Sequence, residues 1–301
     1  MATPTHEVHT AVRQSCALLV SLTERMQPDL SPLKPRSGST WQSEIDQLVA
    51  LLVDSGSRGR VQSCVRFAAA LLLSGSVDYA KGTAHAIAGG SLYSGHALQR
   101  CVSEGLGMFH WMAERPAETP VLLGRALRLL IESHKQEEKR ARLAVEAGEG
   151  EPGDDLEALR DSHAASAFEL EAALRELGID ETLPRKSDAV ASLTRAARMS
   201  SLPTIEYRAI SAFTHLEPLV LFNSLGYKWQ TSDGRWHQTM SVTGLLTPIV
   251  AVVKVLRVAV QTAGRLFEFT IGADPFDELA AQLHHAYLNY GQEQGADLLL
   301  R

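Results

Sequence analysis

Apolar positions recur at intervals of three and four along nearly the whole chain, with Pro, Gly and Ser between the runs, the signature of amphipathic helices. The pattern predicts helices over 5–27, 40–54, 59–73, 83–114, 119–147, 154–177, 187–200, 203–224, 247–270 and 275–291. Thr40, Asp154 with Asp155, and Asp274 before Pro275 supply helix-start chemistry to three of these. Two aromatic-containing runs, Tyr227–Gln230 and Arg235–Thr239, flank Ser232-Asp233-Gly234 and read as one small β-hairpin. The expected fold is therefore all-α, a multi-helix bundle with a long charged helical hairpin and that β-hairpin. The expected division is an N-terminal helical region over 1–80, a main bundle over 83–291 that is either separate from it or continuous with it, and a tail over 292–301.

The charged hairpin comes from one tract. Between His134 and Asp161 five basic and nine acidic residues alternate on either side of a Gly-rich stretch, which suits two solvated helices meeting at a tip. The chain has 301 residues and a net charge of -6, of which -4 lies in this tract. Elsewhere it is nearly balanced, so no overall positive field exists to hold nucleic acid or an anionic membrane. A local basic stretch does exist: Arg185, Lys186, Arg195, Arg198 and Arg208 stand against Asp188 and Glu206.

With 45% hydrophobic and 21% charged residues, the composition is that of a folded globular protein. Cys16, Cys64 and Cys101 are odd in number, far apart and set in apolar segments, which suits buried free thiols rather than a disulfide framework. The first residues lack the basic start and apolar core of a signal peptide. In the apolar stretch 247–269, Lys254, Arg257, Gln261 and Arg265 fall on one helical stripe, the pattern of an amphipathic helix rather than a membrane span. A cytoplasmic protein without a membrane partner is the expectation.

Several familiar chemistries find no footing. Gly148-Glu149-Gly150-Glu151-Pro152-Gly153 spells G-x-G-x-x-G, but it follows a helix and would present two glutamates to a phosphate. There is no phosphate-binding G-x-x-x-x-G-K-[ST] loop, no G-x-S-x-G nucleophile turn and no C-x-x-C pair. No glutamate has a histidine three residues on, as a carboxylate-bridged di-metal bundle requires. No metal ligands and no cofactor are expected.

One constellation survives. The segment 94–112 is apolar almost all round, yet Arg100-x-x-x-Glu104 falls on its smaller-residue side with Trp111 at nearly the same angle. A charged pair sheltered from water must be compensated, because each desolvated ion costs several kcal/mol. Further on, Tyr207, Ser211 and His215 are spaced by four and form one ridge, with Arg208 beside His215. The pair reads either as an internal ion pair or as part of a ligand site, and the ridge either as an internal network reaching Glu104 or as acid/base chemistry with charge stabilisation.

The order Arg100-x-x-x-Glu104, Trp111, a helix bearing Arg125 and Arg128, a charged hairpin, then Tyr207-x-x-x-Ser211-x-x-x-His215 resembles a family of all-helical bacterial proteins of unknown function, over roughly residues 85–225. The resemblance implies a helical architecture with the Arg/Glu and Ser/His helices packed together, and no established chemistry. More distantly the chain is similar to HEPN-type ribonucleases, whose dimers pair, from each subunit, an arginine and a histidine with four to six residues between them. That similarity implies a metal-independent endoribonuclease of defence or toxin type, working as a homodimer on RNA, with His215 as acid/base and Arg208 as phosphate clamp. Arg128 and His134 satisfy the same spacing, so the spacing alone is not specific. The leading expectation is a protein acting through a binding surface or pocket on an RNA or protein partner, with a polar cluster of Arg100, Glu104, Tyr207, Ser211 and His215 and with Trp111 beside it. The ribonuclease and a small-molecule pocket between the Trp111 and His215 helices are the alternatives.

Overall fold

The computed structural model describes residues 4–30, 33–53, 55–114, 118–148, 155–199, 228–230, 236–238 and 242–285. The described residues are overwhelmingly helical: α1 Pro4–Leu30, α2 Trp41–Ala50, α3 Ser55–Ala88, α4 Leu92–Ala113, α5 Thr119–Ala147, α6 Leu156–Glu176, α7 Lys186–Ala196, α8 Val242–Leu266 and α9 over 274–285. Strands β1 Lys228–Gln230 and β2 Trp236–Gln238 pair antiparallel, with Trp229 opposite His237.

The chain divides into two compact units, each discontinuous in sequence: Met1–Pro32, Leu72–Trp111 and Arg185–Arg301 form the first, Leu33–Leu71 and Met112–Pro184 the second. The change of unit nearest the expected boundary at residues 80–83 falls earlier, between Leu71 and Leu72, and both places lie within the continuous helix α3. The sequence pattern broke this helix at Ser74-Gly75-Ser76 and Gly82, yet Leu73, Val77, Ala80, Ala84 and Ile87 are all buried. Their burial outweighs a glycine cost of about 1 kcal/mol each. The true break comes at Gly89–Gly90, through which the pattern had run a helix. Gly90 takes φ +80°, and Ser91 N–H closes the end by donating to the Ala86 carbonyl.

In the second unit α5 and α6 lie side by side and antiparallel, since partners on α6 and beyond fall in number as those on α5 rise: Arg125 with Glu181, Lys135 with Glu171. Leu123, Leu127 and Ile131 of α5 and Leu170 and Leu174 of α6 are buried. Asp155 caps α6 by accepting from Ala158 N–H at 2.8 Å, and Gly148 at φ +67° ends α5. The segment 149–154 that joins them lies outside the described residues. The expected Thr40 cap does not form; the Thr40 hydroxyl donates to the Glu44 carboxylate instead, at 2.7 Å.

In the first unit α8 packs against α1 and α7. Over Leu246–Leu266 it is long and apolar enough to cross a membrane, but 72% of that window is buried within the fold. Ile249, Val252, Val253, Leu256 and Val260 supply core, while Lys254 and Arg257 are half-buried and Gln261 and Arg265 exposed. The polar stripe thus faces outward from a core helix. Asp29 at the end of α1 accepts from both the N–H and the hydroxyl of Thr270, at 2.9 and 2.8 Å.

Candidate functional site

Val102, Leu106, Phe109 and Met112 turn one side of α4 wholly into the core. Arg100 and Glu104, one turn apart, are left on a side that is only partly covered, with side chains 19% and 16% exposed. The Arg100 Nε–H donates to Glu104 Oε1 at 2.7 Å. The second oxygen accepts from the Lys186 ammonium at 3.0 Å, so both Glu104 oxygens are held by cations from two different helices. Burial pushes the Glu104 carboxyl up, but the hydrogen bonds from Arg100 and Lys186 more than offset it and the group sits below the usual carboxylate range.

Lys186 arrives there because α7 begins at that point and packs closely on α4. Gly107, one turn beyond Glu104, has no side chain to separate the helices, and a Cβ there would stand 3.0 Å from Val190 N. Sequence reasoning found Arg100 and Glu104 from their i,i+4 spacing but assigned Lys186 only to a general basic stretch. The signal was Gly107 itself, a small residue on the face that carried the charges.

Trp111 lies on the same face as Glu104, about 10 Å further along the axis, and is half-buried. Cys101 corrects an expectation: of the three thiols only Cys16 and Cys64 are buried, whereas Cys101 is exposed. It lies about 60° round α4 from Glu104, on the side away from Arg100, where the core does not cover the helix. Desolvation and the neighbouring Glu104 charge raise its pKa above the ordinary thiol value. Arg125 and Arg128, part of the family resemblance, both serve Glu181 in the second unit: Arg128 Nε–H donates to its carbonyl at 2.6 Å and Arg125 pairs with its carboxylate at 3.4 Å.

Tyr207, Arg208, Ser211 and His215 lie outside the described residues, and so does the helix expected over 203–224. Further exposed cations lie along the same segment: Arg185 directly precedes Lys186, and Arg195 and Arg198 face solvent at the far end of α7, Arg195 on the opposite side of that helix from Lys186, with Asp188 as the acid among them. Among the described residues no group of three His, Cys, Asp or Glu side chains is placed to hold a metal ion.

A histidine pair escaped the sequence reading. His134 of α5 and His163 of α6 place their Nδ1 atoms 3.0 Å apart, with ring centroids at 5.3 Å. The two positions face each other because α5 and α6 pack antiparallel. Desolvation, the His163 ring and the Arg60 charge hold His134 below the ordinary imidazole value.

Compared with protein-family models, curated proteins and solved structures, the chain gave no match.

Proposed function

We propose that this chain is a helical binding protein that recognises an anionic partner on the face formed by α4 and the start of α7. One observation carries the reading: Glu104 is gripped on both oxygens by Arg100 and Lys186, leaving a cation in excess next to the exposed Arg185 that precedes α7. A fixed carboxylate holds the two cations in place, and a preset cation costs less entropy when an anion docks. In this reading the ends of α5 and α6 form a solvated charged hairpin and the β1–β2 pair a small surface hairpin, neither engaged in recognition.

The ribonuclease reading stands as the alternative, supported by the basic surface of α7 lying just upstream of Arg208 and His215. A single experiment separates the two. The protein is titrated into fluorescein-labelled single-stranded RNA, and separately into poly-glutamate, in EDTA at two salt concentrations, and the RNA is then run on a gel. Saturable, salt-sensitive binding of either probe, weakened by Arg185→Glu with Lys186→Glu and leaving the RNA intact, supports the binding protein. Cleavage that His215→Ala abolishes supports the ribonuclease. Failure to bind either probe at low salt overturns the anionic-partner reading.

A further inference from the structure

Between α8 and α9, within the first unit, the structure holds a cavity of about 330 Å³. That is at the small end of the range for ligand pockets, roughly 300–1,000 Å³. Leu246, Val250 and Ala251 line it from successive turns of α8 and Ala280 from α9, so its walls are mainly apolar. Lys254 and His284 also line it. Lys254 is half-buried and makes no ion pair or hydrogen bond among the described residues, whereas Arg257, one turn further along α8, is paired with Asp277. A half-buried lysine on the wall of a mainly apolar cavity, with no partner among the described residues, suits an anion that brings its own apolar body.

We infer that this cavity is a binding site for a small apolar monocarboxylate. The hydrocarbon part fills the space against Leu246, Val250, Ala251 and Ala280. The carboxylate pairs with the Lys254 ammonium, and the His284 ring stands at the same cavity to donate a second hydrogen bond. The site is separate from Glu104 and independent of the reading given above; its ligand enters through shape and one charge rather than through a broad basic surface.

Octanoate is the probe, with octanol as its uncharged counterpart, and binding is followed by calorimetry and by NMR line positions on the full chain. Octanoate is expected to bind saturably at one site, with octanol at least about tenfold weaker. Lys254→Met is expected to weaken octanoate by about tenfold or more and leave octanol unchanged. Lys254→Gln, which keeps a polar side chain, checks that the loss follows the charge, and melting curves of both variants establish that they fold. A Thr247→Trp substitution, at an exposed position on the cavity wall, is expected to block both probes. Uptake of octanoate without saturation, no uptake into the folded protein, or affinity unaffected by Lys254→Met would each overturn the assignment.

Discussion

Gly107 of α4 and Val190 of α7 touch through backbone, since a Cβ at Gly107 would lie 3.0 Å from Val190 N and 3.1 Å from the Ala189 carbonyl carbon. A main chain cannot swing aside as a side chain can, so Gly107→Ala forces the two helices apart. Overpacking of this kind costs about 1–3 kcal/mol, read as a lower urea midpoint with unchanged slope. Gly75 of α3 is the control: nothing lies within 4 Å of a Cβ there. Gly75→Ala should raise stability by about 0.5–1 kcal/mol through helix propensity.

Separating those helices also removes Lys186 from Glu104. Glu104→Ala, which leaves Arg100 without its partner on a largely covered face, should cost about 2–4 kcal/mol, toward the lower end of the range for fully buried pairs. Lys186→Ala should cost under about 1 kcal/mol, because the Lys186 side chain is 66% exposed. Since folding depresses the Glu104 pKa, its contribution is complete above the ordinary carboxylate range. It is lost as pH falls through the depressed folded value. Wild-type stability should therefore drop more steeply below pH ~4 than that of Glu104→Gln, measured by unfolding across pH.

Four described helices end on a left-handed residue, and one of them does so without glycine. After α3, α5 and α6 the position is taken by Gly90, Gly148 and Gly178; after α7 it is taken by Arg198 at φ +52°. The Met199 N–H closes the turn on the Thr194 carbonyl, as Ile179 N–H does on Leu174. A side chain in this conformation costs about 1–2 kcal/mol. Arg198→Gly should raise stability by about 1 kcal/mol in chemical unfolding. If Arg198 serves the basic face, the same substitution should weaken binding of the anionic probe.

A hydrogen bond between two imidazole nitrogens holds one proton, and a second placed on the His134 Nδ1–His163 Nδ1 line would set two N–H groups against each other and break it. Arg60, although paired with Glu169 at 2.7 Å, adds to the repulsion at His134. The folded pKa of His134 is depressed, so at neutral pH the ring is unprotonated in folded and unfolded chains alike and stability is unaffected. Below about pH 6.5 the unfolded chain takes up its proton first. Stability should therefore fall from there until the depressed value is passed. His134→Gln should flatten that part of a melting-temperature profile; an unchanged slope would show that the pair does not set it.

How far the sequence revealed all this can be judged element by element. Helix α5 was legible to its end residues because Pro120 opens it and Gly148 closes it. For α3 the pattern counted Gly75 and Gly82 as breaks and passed over Gly89–Gly90, since a glycine's effect depends on whether burial of its neighbours holds the helix or the chain needs a positive φ. Arg100 and Glu104 were visible because they are one turn apart in an apolar helix. Lys186, by contrast, reaches Glu104 from 82 residues away, through a helix crossing that no local pattern encodes. His163 escaped for the same reason, and so did the lack of a partner for Lys254 among the described residues, which depends on which acids the fold brings near.

The exposure of Cys101 has a practical consequence. Cys16 and Cys64 are buried and their thiols are pushed strongly up, Cys16 to about 11, which protects them from alkylation. Cys101 is exposed and adjoins both members of the Arg100–Glu104 pair. The natural sequence thus carries its own attachment point for an environment-sensitive dye, three residues from Glu104. Because its pKa is raised, labelling will be efficient only in mildly alkaline buffer. A dye placed there would report occupation of the α4–α7 face without a single mutation.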